Sequence, residues 1–434
     1  MFAKISHYFL YMITGLIILI VMPACVSVPD QLTETADVAT QTPTPTNNPT
    51  ATESAQATQE PTPQVPCTIS LWHSFDADEI ESLLSVSTAY KENNPDVEFD
   101  FMYSPEFDIR SKFESTAGSG GGPSILIGNG TWGPSFYEDS LILDVTNLVE
   151  EDIINTINPA ALSSVQYREA IIGLPLNLKG VLLFRNAYNI PTAPETFSAL
   201  IDSAVTATSG DVIGAYLDYG LFYSGGHLQA VGGSLMDQEG NPAFNNDKGI
   251  QWLEMLKRFK EAGPAEPNND NDLNLFGEGR VGFIVGDFSN AARLSEAIGE
   301  NNFMIDPWPM DMSGYTQSDV VFLNADLSGN ELDCGSAFMN FLLSNEAQEE
   351  FSKPEMAGFI PSITGVDFKD SFQQQAALAF EKGTPLPILP EMSLYWEPLN
   401  AALLSVVEFG TDPAEALTIA EQTIINNITT FNQE

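Results

Sequence analysis

Apolar residues follow three regimes along this chain. Tyr11 to Val21 form a continuous apolar run behind the single positive charge of MFAK, too short and too abruptly ended for a membrane span, which is the pattern of an export signal over residues 1–24. From residue 26 to residue 66 large apolar side chains nearly vanish and Thr and Pro dominate. Such a segment cannot bury enough surface to offset the entropy of ordering, so it reads as a disordered tether with a reach on the order of 35 Å. From Cys67 the pattern becomes that of a folded body. CTISLWHSF reads as a buried strand, Ala77 to Glu92 as a helix stopped by Asn94 and Pro95, VEFDFMY as an alternating strand, Ile109 to Ser115 as an amphipathic stretch, and SILIG as a short apolar strand. Asp247 to Ala262 carries Ile250, Leu253, Leu256 and Phe259 near helical spacing between Asn246 and Asp247 as caps and a Gly263-Pro264 stop. The strand RVGFIVGD leads into a further helix. Strands alternating with helices predict an α/β fold, and no fixed period marks a repeat protein.

Charge narrows the partners. Sixteen basic residues against 59 acidic ones give −43, and loss of the leader with its one lysine makes the mature chain −44. A surface this acidic repels phosphate backbones and anionic lipid, which excludes nucleic acid as a partner and requires any membrane attachment to be covalent. A little over 400 mature residues exceed one ordinary core and predict two domains.

The search for catalytic or metal chemistry finds little. His73 and His227 are the histidines of the mature chain, far apart, with no HExxH or Cys/His cluster, so no metal or other cofactor is expected. No GxSxG elbow occurs, and GSGGGPS at Gly118 to Ser124 lacks the Lys-Ser/Thr of a phosphate loop and precedes a strand, which makes it an ordinary loop. The many carboxylates leave a glycoside hydrolase open, since sequence alone does not fix the separation of a pair. Aromatic residues beside amides and acids at probable strand ends are more distinctive: Trp72 and His73; Asn129, Thr131 and Trp132; Tyr216, Asp218, Tyr219, Phe222 and Tyr223; Asp287 and Phe288; Tyr395 and Trp396. Aromatic faces suit the apolar faces of sugar rings while neighbouring amides and carboxylates bond hydroxyls. For most of these the core is the competing destination; Trp132 and Trp396, flanked by turn residues or Pro398, are the expected ligand contacts.

Two resemblances add to this. VMPAC resembles the lipobox of bacterial lipoproteins, which implies acylation of Cys25; ordinary cleavage with a free Cys25 thiol is the alternative. From Cys67 to the end, the order of motifs resembles the carbohydrate-binding group of ABC-transporter solute-binding proteins, the maltose/maltodextrin-binding proteins included. The motifs are IIGLPLNLKGVLLFRNAYNIPTAPETFSALI, FGEGRVGFIVGDF, FMNFLLSNEAQEEF, AGFIPSITGV and GTPLPILPEMSLYWEPLNAAL. The resemblance implies a two-lobed α/β, periplasmic-binding-protein-like fold with a hinge and an interlobe cleft. Lobe 1 would comprise 67–177 and 321–372, lobe 2 178–320 and 373–434. It implies Trp396 at a sugar-stacking position, Phe288 at the aromatic after a strand, and Trp132 near another ligand loop, with His73, Asn129, Asn177 and Asp287 bonding hydroxyls and Trp72 and Tyr223 beside them. Lys179 stands where maltose-binding members carry a carboxylate, and Ser124 where an Asp is common. The implied partners are a sugar or oligosaccharide and the permease of an ABC importer, with the protein a monomer held to the outer face of the cell membrane by its lipid. A carrier of another solute, such as a polyamine, a metal ion or a glycerol phosphate, is the remaining reading; few arginines disfavour glycerol phosphate, and Tyr216, Tyr219 and Tyr223 are spaced, unlike the adjacent tyrosines of iron carriers. Cys67 and Cys334 are then an even pair in an oxidising compartment and predict a disulfide.

Overall fold

The computed structural model describes residues 66–267, 271–354 and 357–431; the leader, Cys25 and the Thr/Pro tract through residue 65 lie outside them. Three sheets organise the fold. The first has the strand order Val97–Tyr103, Cys67–His73, Ile125–Asn129, Asp319–Leu323, Leu174–Pro175. Its first three strands run parallel, and Asp319–Leu323 is antiparallel to both of its neighbours. The second has the order Ala265–Glu266, Ile213–Asp218, Val281–Gly286, Leu182–Asn186, Phe303–Asp306. A smaller third sheet, Ile360–Pro361, Asn177–Gly180, Tyr315–Gln317, Thr384–Pro385, is made from segments that pass between the other two.

Connectivity follows from that arrangement. The chain leaves the first sheet at Leu174–Pro175, runs through Asn177–Gly180 and enters the second at Leu182–Asn186; it returns through Tyr315–Gln317 into Asp319–Leu323. Two antiparallel crossing strands side by side, with Thr316 opposite Gly180 and Gln317 opposite Lys179, form the narrow bridge between the lobes.

Local chemistry explains the main elements. The helix Ala77–Asn93 starts at a capping box: Asp76 accepts from the N–H groups of Asp78 and Glu79, both at 3.0 Å, and Glu79 Oε2 accepts from Asp76 N at 2.9 Å. The strand Val281–Gly286 is buried at every position, as expected for a strand covered on both faces. Its side chains divide between two cores: Val281 and Ile284 join the core continuous with the first sheet, while Phe283 and Val285 join the core beneath Phe197–Ala207, Asp247–Lys257, Trp396–Phe409 and Pro413–Phe431. The helix expected through Ala262 divides into Asp247–Lys257 and Phe259–Ala262, with the Arg258 guanidinium 5.1 Å from the Phe197 ring centroid. The glycine loop before Ile125 is an ordinary turn in which Gly120 and Gly122 take positive φ. Arg185, where the resemblance leads one to look for Tyr, is buried and grips Asp306 through two hydrogen bonds of 2.6 and 3.0 Å.

Cys67 and Cys334 are joined, tying the first strand of the body to the helix Gly329–Leu342. No helix among the described residues is long and apolar enough to cross a membrane.

Candidate functional site

A cavity of about 410 Å3 opens where the crossing strands meet the two larger sheets. Its floor is the crossing segment itself: Asn177, Leu178 and Lys179 on one strand, Gln317, Ser318 and Asp319 on the other. From the first sheet come Ile127, Gly128 and Asn129, with Glu79 from the capped helix; from the end of Val281–Gly286 come Asp287, Phe288 and Ser289. Phe75 and Phe359 also line it, their rings edge to face at 5.9 Å.

The polar groups are tightly organised. Asn177 Nδ2 donates to Asp319 Oδ2 at 2.8 Å, and Asp319 N donates to Asn177 Oδ1 at 2.9 Å, so the two crossing segments hold each other. Lys179 Nζ lies 2.6 Å from the same Asp319 oxygen. Burial would lower the Lys179 pKa, but Asp319 first, then Glu79 and Asp287, outweigh it and hold the ammonium above the usual lysine value. Burial raises the Glu79 carboxyl above the ordinary glutamate value, against the pull of the Asp76 N–H and of Lys179. Asn129 Oδ1 accepts from Thr131 N and Oγ1, and Asp287 Oδ1 accepts from Ser289 N, so each turn fixes its side chain at a strand end. The Ser318 hydroxyl, in a residue only 2% exposed, bonds no described residue.

Asn129, Asn177, Asp287 and Phe288 are therefore gathered at one cavity, whereas Trp72, His73, Trp132, Tyr223 and Trp396 are not among its lining residues. Trp132 is a core residue, 8% exposed. Its ring lies so close over Gly128 that a Cβ there would meet it at 2.5 Å, and its edge meets Phe136. The turn that suggested exposure instead folds the indole back onto its own strand. Trp396 opens its helix half-buried against the second core. Trp72 packs on the first core from the opposite strand face to Leu71 and His73. His73 is buried, its Nδ1 accepting from Phe75 N at 3.2 Å. The Tyr223 ring meets Phe222 at 5.5 Å beside the second core.

Sequence reasoning missed Glu79, Phe75, Phe359, Gln317, Ser318 and Asp319. Phe359 sat within a segment already singled out by resemblance. Nothing local signals Gln317 to Asp319, which acquire meaning only when Tyr315–Gln317 pairs with Asn177–Gly180. Among the described residues no group of His, Cys, Asp and Glu is placed to hold a metal ion.

Residues 85–380 match the family described as bacterial extracellular solute-binding protein. The chain belongs to that family. A maltotriose-binding protein of Pyrococcus abyssi is 24% identical over 221 residues, 50% of this chain and 48% of its own length. A galactooligosaccharide-binding protein of Bacillus subtilis is 23% identical over 330 residues, 70% of this chain and 77% of its own length. The chain thus spans about half of the first relative and about three quarters of the second. An extracellular solute-binding protein of Staphylococcus aureus, solved with maltose, superposes with a TM-score of 0.73 at 19% identity, covering 85% of this chain and 99% of that one. At that identity the match shows the fold, the two-lobed architecture of periplasmic solute-binding proteins. As a solute-binding protein, this chain has its cavity at the bridge between the lobes.

Proposed function

We propose that this solute-binding protein captures a sugar or oligosaccharide in the interlobe cavity and delivers it intact to the permease of an ABC importer. The carrying observation is the cavity's composition. Amides and carboxylates from both lobes and the crossing strands (Asn129, Asn177, Asp287, Asp319) surround a space also faced by Phe75, Phe288 and Phe359. A sugar hydroxyl both donates and accepts, so a lining that mixes the Lys179 ammonium with carboxylates matches it, and the phenyl faces suit the apolar side of a pyranose. The names of the two relatives, one for maltotriose and one for galactooligosaccharide, support the same ligand class.

The rest of the proposal concerns the chain's placement. The leader 1–24 is removed, Cys25 is acylated, and 25–66 tethers a monomeric body whose lobes are 67–177 with 321–372 and 178–320 with 373–434. Cys25→Ala should then move the protein from the membrane to the soluble fraction; retention on the membrane would refute the anchor.

A thermal-shift panel of maltose, maltotriose, galactooligosaccharides and pentoses tests the ligand class, because a ligand that binds only the folded state raises its melting temperature. At least one sugar should do so and be recovered unhydrolysed. Hydrolysis would favour a glycoside hydrolase instead, with Glu79, Glu106, Asp287 and Asp319 as the carboxylates lining the cavity.

A further inference from the structure

Lys179 is the one cation among the described residues that line the cavity, and the charges of Asp319, Glu79 and Asp287 act on it. Asp319 on the neighbouring crossing segment lies 2.6 Å from its Nζ; Glu79 belongs to the first turn of a helix on the first lobe; Asp287 follows the strand Val281–Gly286 on the second. Asp76 and Asp78 flank Glu79 on the same turn, and Glu106 lines the cavity from the next helix. Lys179 itself sits on Asn177–Gly180, the strand that crosses between the lobes, so its own position barely depends on how far the lobes are apart. Glu79 and Asp287 have no such fixed relation, since they move with different lobes.

We propose that Lys179 is a positioning residue for binding: its ammonium is the shared counter-charge that lets the Glu79 and Asp287 edges of the cleft approach each other, and so it sets ligand affinity by setting the balance between open and closed forms. Like charges brought together across a partly desolvated gap repel, and the repulsion grows as water leaves. A fixed cation between them converts that repulsion into attraction of both edges toward the bridge. Any ligand that binds across the cleft draws on the population of the closed form, so a shift in that population changes its apparent affinity. Lys179 stays charged throughout the physiological range because its carboxylates hold the pKa high, so any pH response of the cleft comes from the carboxylates that face it.

The competing role is purely local, with Lys179 serving only to neutralise Asp319. Small-angle scattering of the ligand-free protein at pH 7.5 and pH 5 separates the two without any sugar, and so does not depend on the proposed ligand class. Wild type and Lys179→Arg should share one radius of gyration at pH 7.5. Lys179→Met should be larger at pH 7.5 and contract toward wild type at pH 5, since burial raises the Glu79 pKa and so favours its neutral form as pH falls. Lys179→Met/Asp319→Asn should behave like the single variant, because Glu79 and Asp287 remain; this double variant leaves no unpaired member of the ion pair and carries the test if the single variant does not fold. The proposal is overturned if Lys179→Met matches wild type at both pH values, or if the double variant reverts to wild type at pH 7.5. With maltotriose as probe, Lys179→Met should weaken binding about tenfold at pH 7.5 and recover at pH 5. Absence of any maltotriose binding by wild type would count against that sugar alone, leaving the scattering to decide the role of Lys179.

Discussion

Asn177 and Asp319, 142 residues apart in sequence, exchange two hydrogen bonds of 2.8 and 2.9 Å across the bridge between the lobes. One side chain thereby satisfies both the carboxylate and the backbone N–H of the other crossing segment, in a residue that is 1% exposed. Asn177→Ala removes both bonds and leaves the partly buried Asp319 N–H without that acceptor. The expected cost is roughly 1–3 kcal/mol of stability, read as a lower urea midpoint with an unchanged m-value.

Trp132 lies in the core and not among the cavity lining, and its substitution tests whether it contributes to binding. Since its ring fills the space over Gly128 and packs on Phe136, Trp132→Ala should cost about 3–5 kcal/mol of ligand-free stability and leave affinity unchanged in whatever fraction stays folded. A large loss of affinity with an unchanged melting temperature would return Trp132 to the ligand.

His227 predicts an acid limit. It is buried between Trp308 and Phe259, with its Nδ1 accepting from Ser313 N, and burial lowers its pKa to about 4 from 6.5. The unfolded chain therefore binds the proton more readily than the native state between those values. Stability is fully present above about pH 6.5 and is lost as pH falls toward 4, by roughly 3 kcal/mol. His227→Gln should flatten the melting temperature over that window relative to wild type; an unchanged slope would assign it to carboxylates elsewhere.

The disulfide Cys67–Cys334 closes a loop with a sequence separation of 267 residues. In the chain-entropy model such a closure stabilises by about 5 kcal/mol, with measured values commonly 2–4. Reduction, or Cys67→Ser/Cys334→Ser, should lower the melting temperature, and the denatured, unreduced body should titrate with no free thiol at either position.

The local code of this chain is more legible than its site. Asp76 and Glu79 announce the start of the first helix, and the unbroken run VGFIVG announces a strand covered on both faces. Asn129 and Asp287 were identifiable because a polar residue ending an apolar strand is held in place by its own turn, whatever the rest of the chain does. Aromatic residues carry no such local information. Trp132 beside glycines looks exposed in sequence, and only the three-dimensional path shows that Gly128 makes room for it. Ser318 and Asp319 were illegible as a site for the opposite reason: they join Asn177 and Lys179 only through pairing of two strands far apart in the chain. Five family-like motifs in order indicated the two-lobed fold, while one half of the cleft floor, Gln317 to Asp319, lay between those motifs.

The central claim is that a sugar binds at the cavity between the lobes and is released unchanged. Isothermal titration of wild type and Asp287→Ala with the sugar giving the largest thermal shift, followed by mass analysis of the recovered ligand, tests it most directly. The account predicts one sugar per protein, affinity weakened about tenfold or more in Asp287→Ala with little change in the ligand-free melting temperature, and intact sugar after incubation. Equal binding by the two proteins, or cleavage of the sugar, would contradict it.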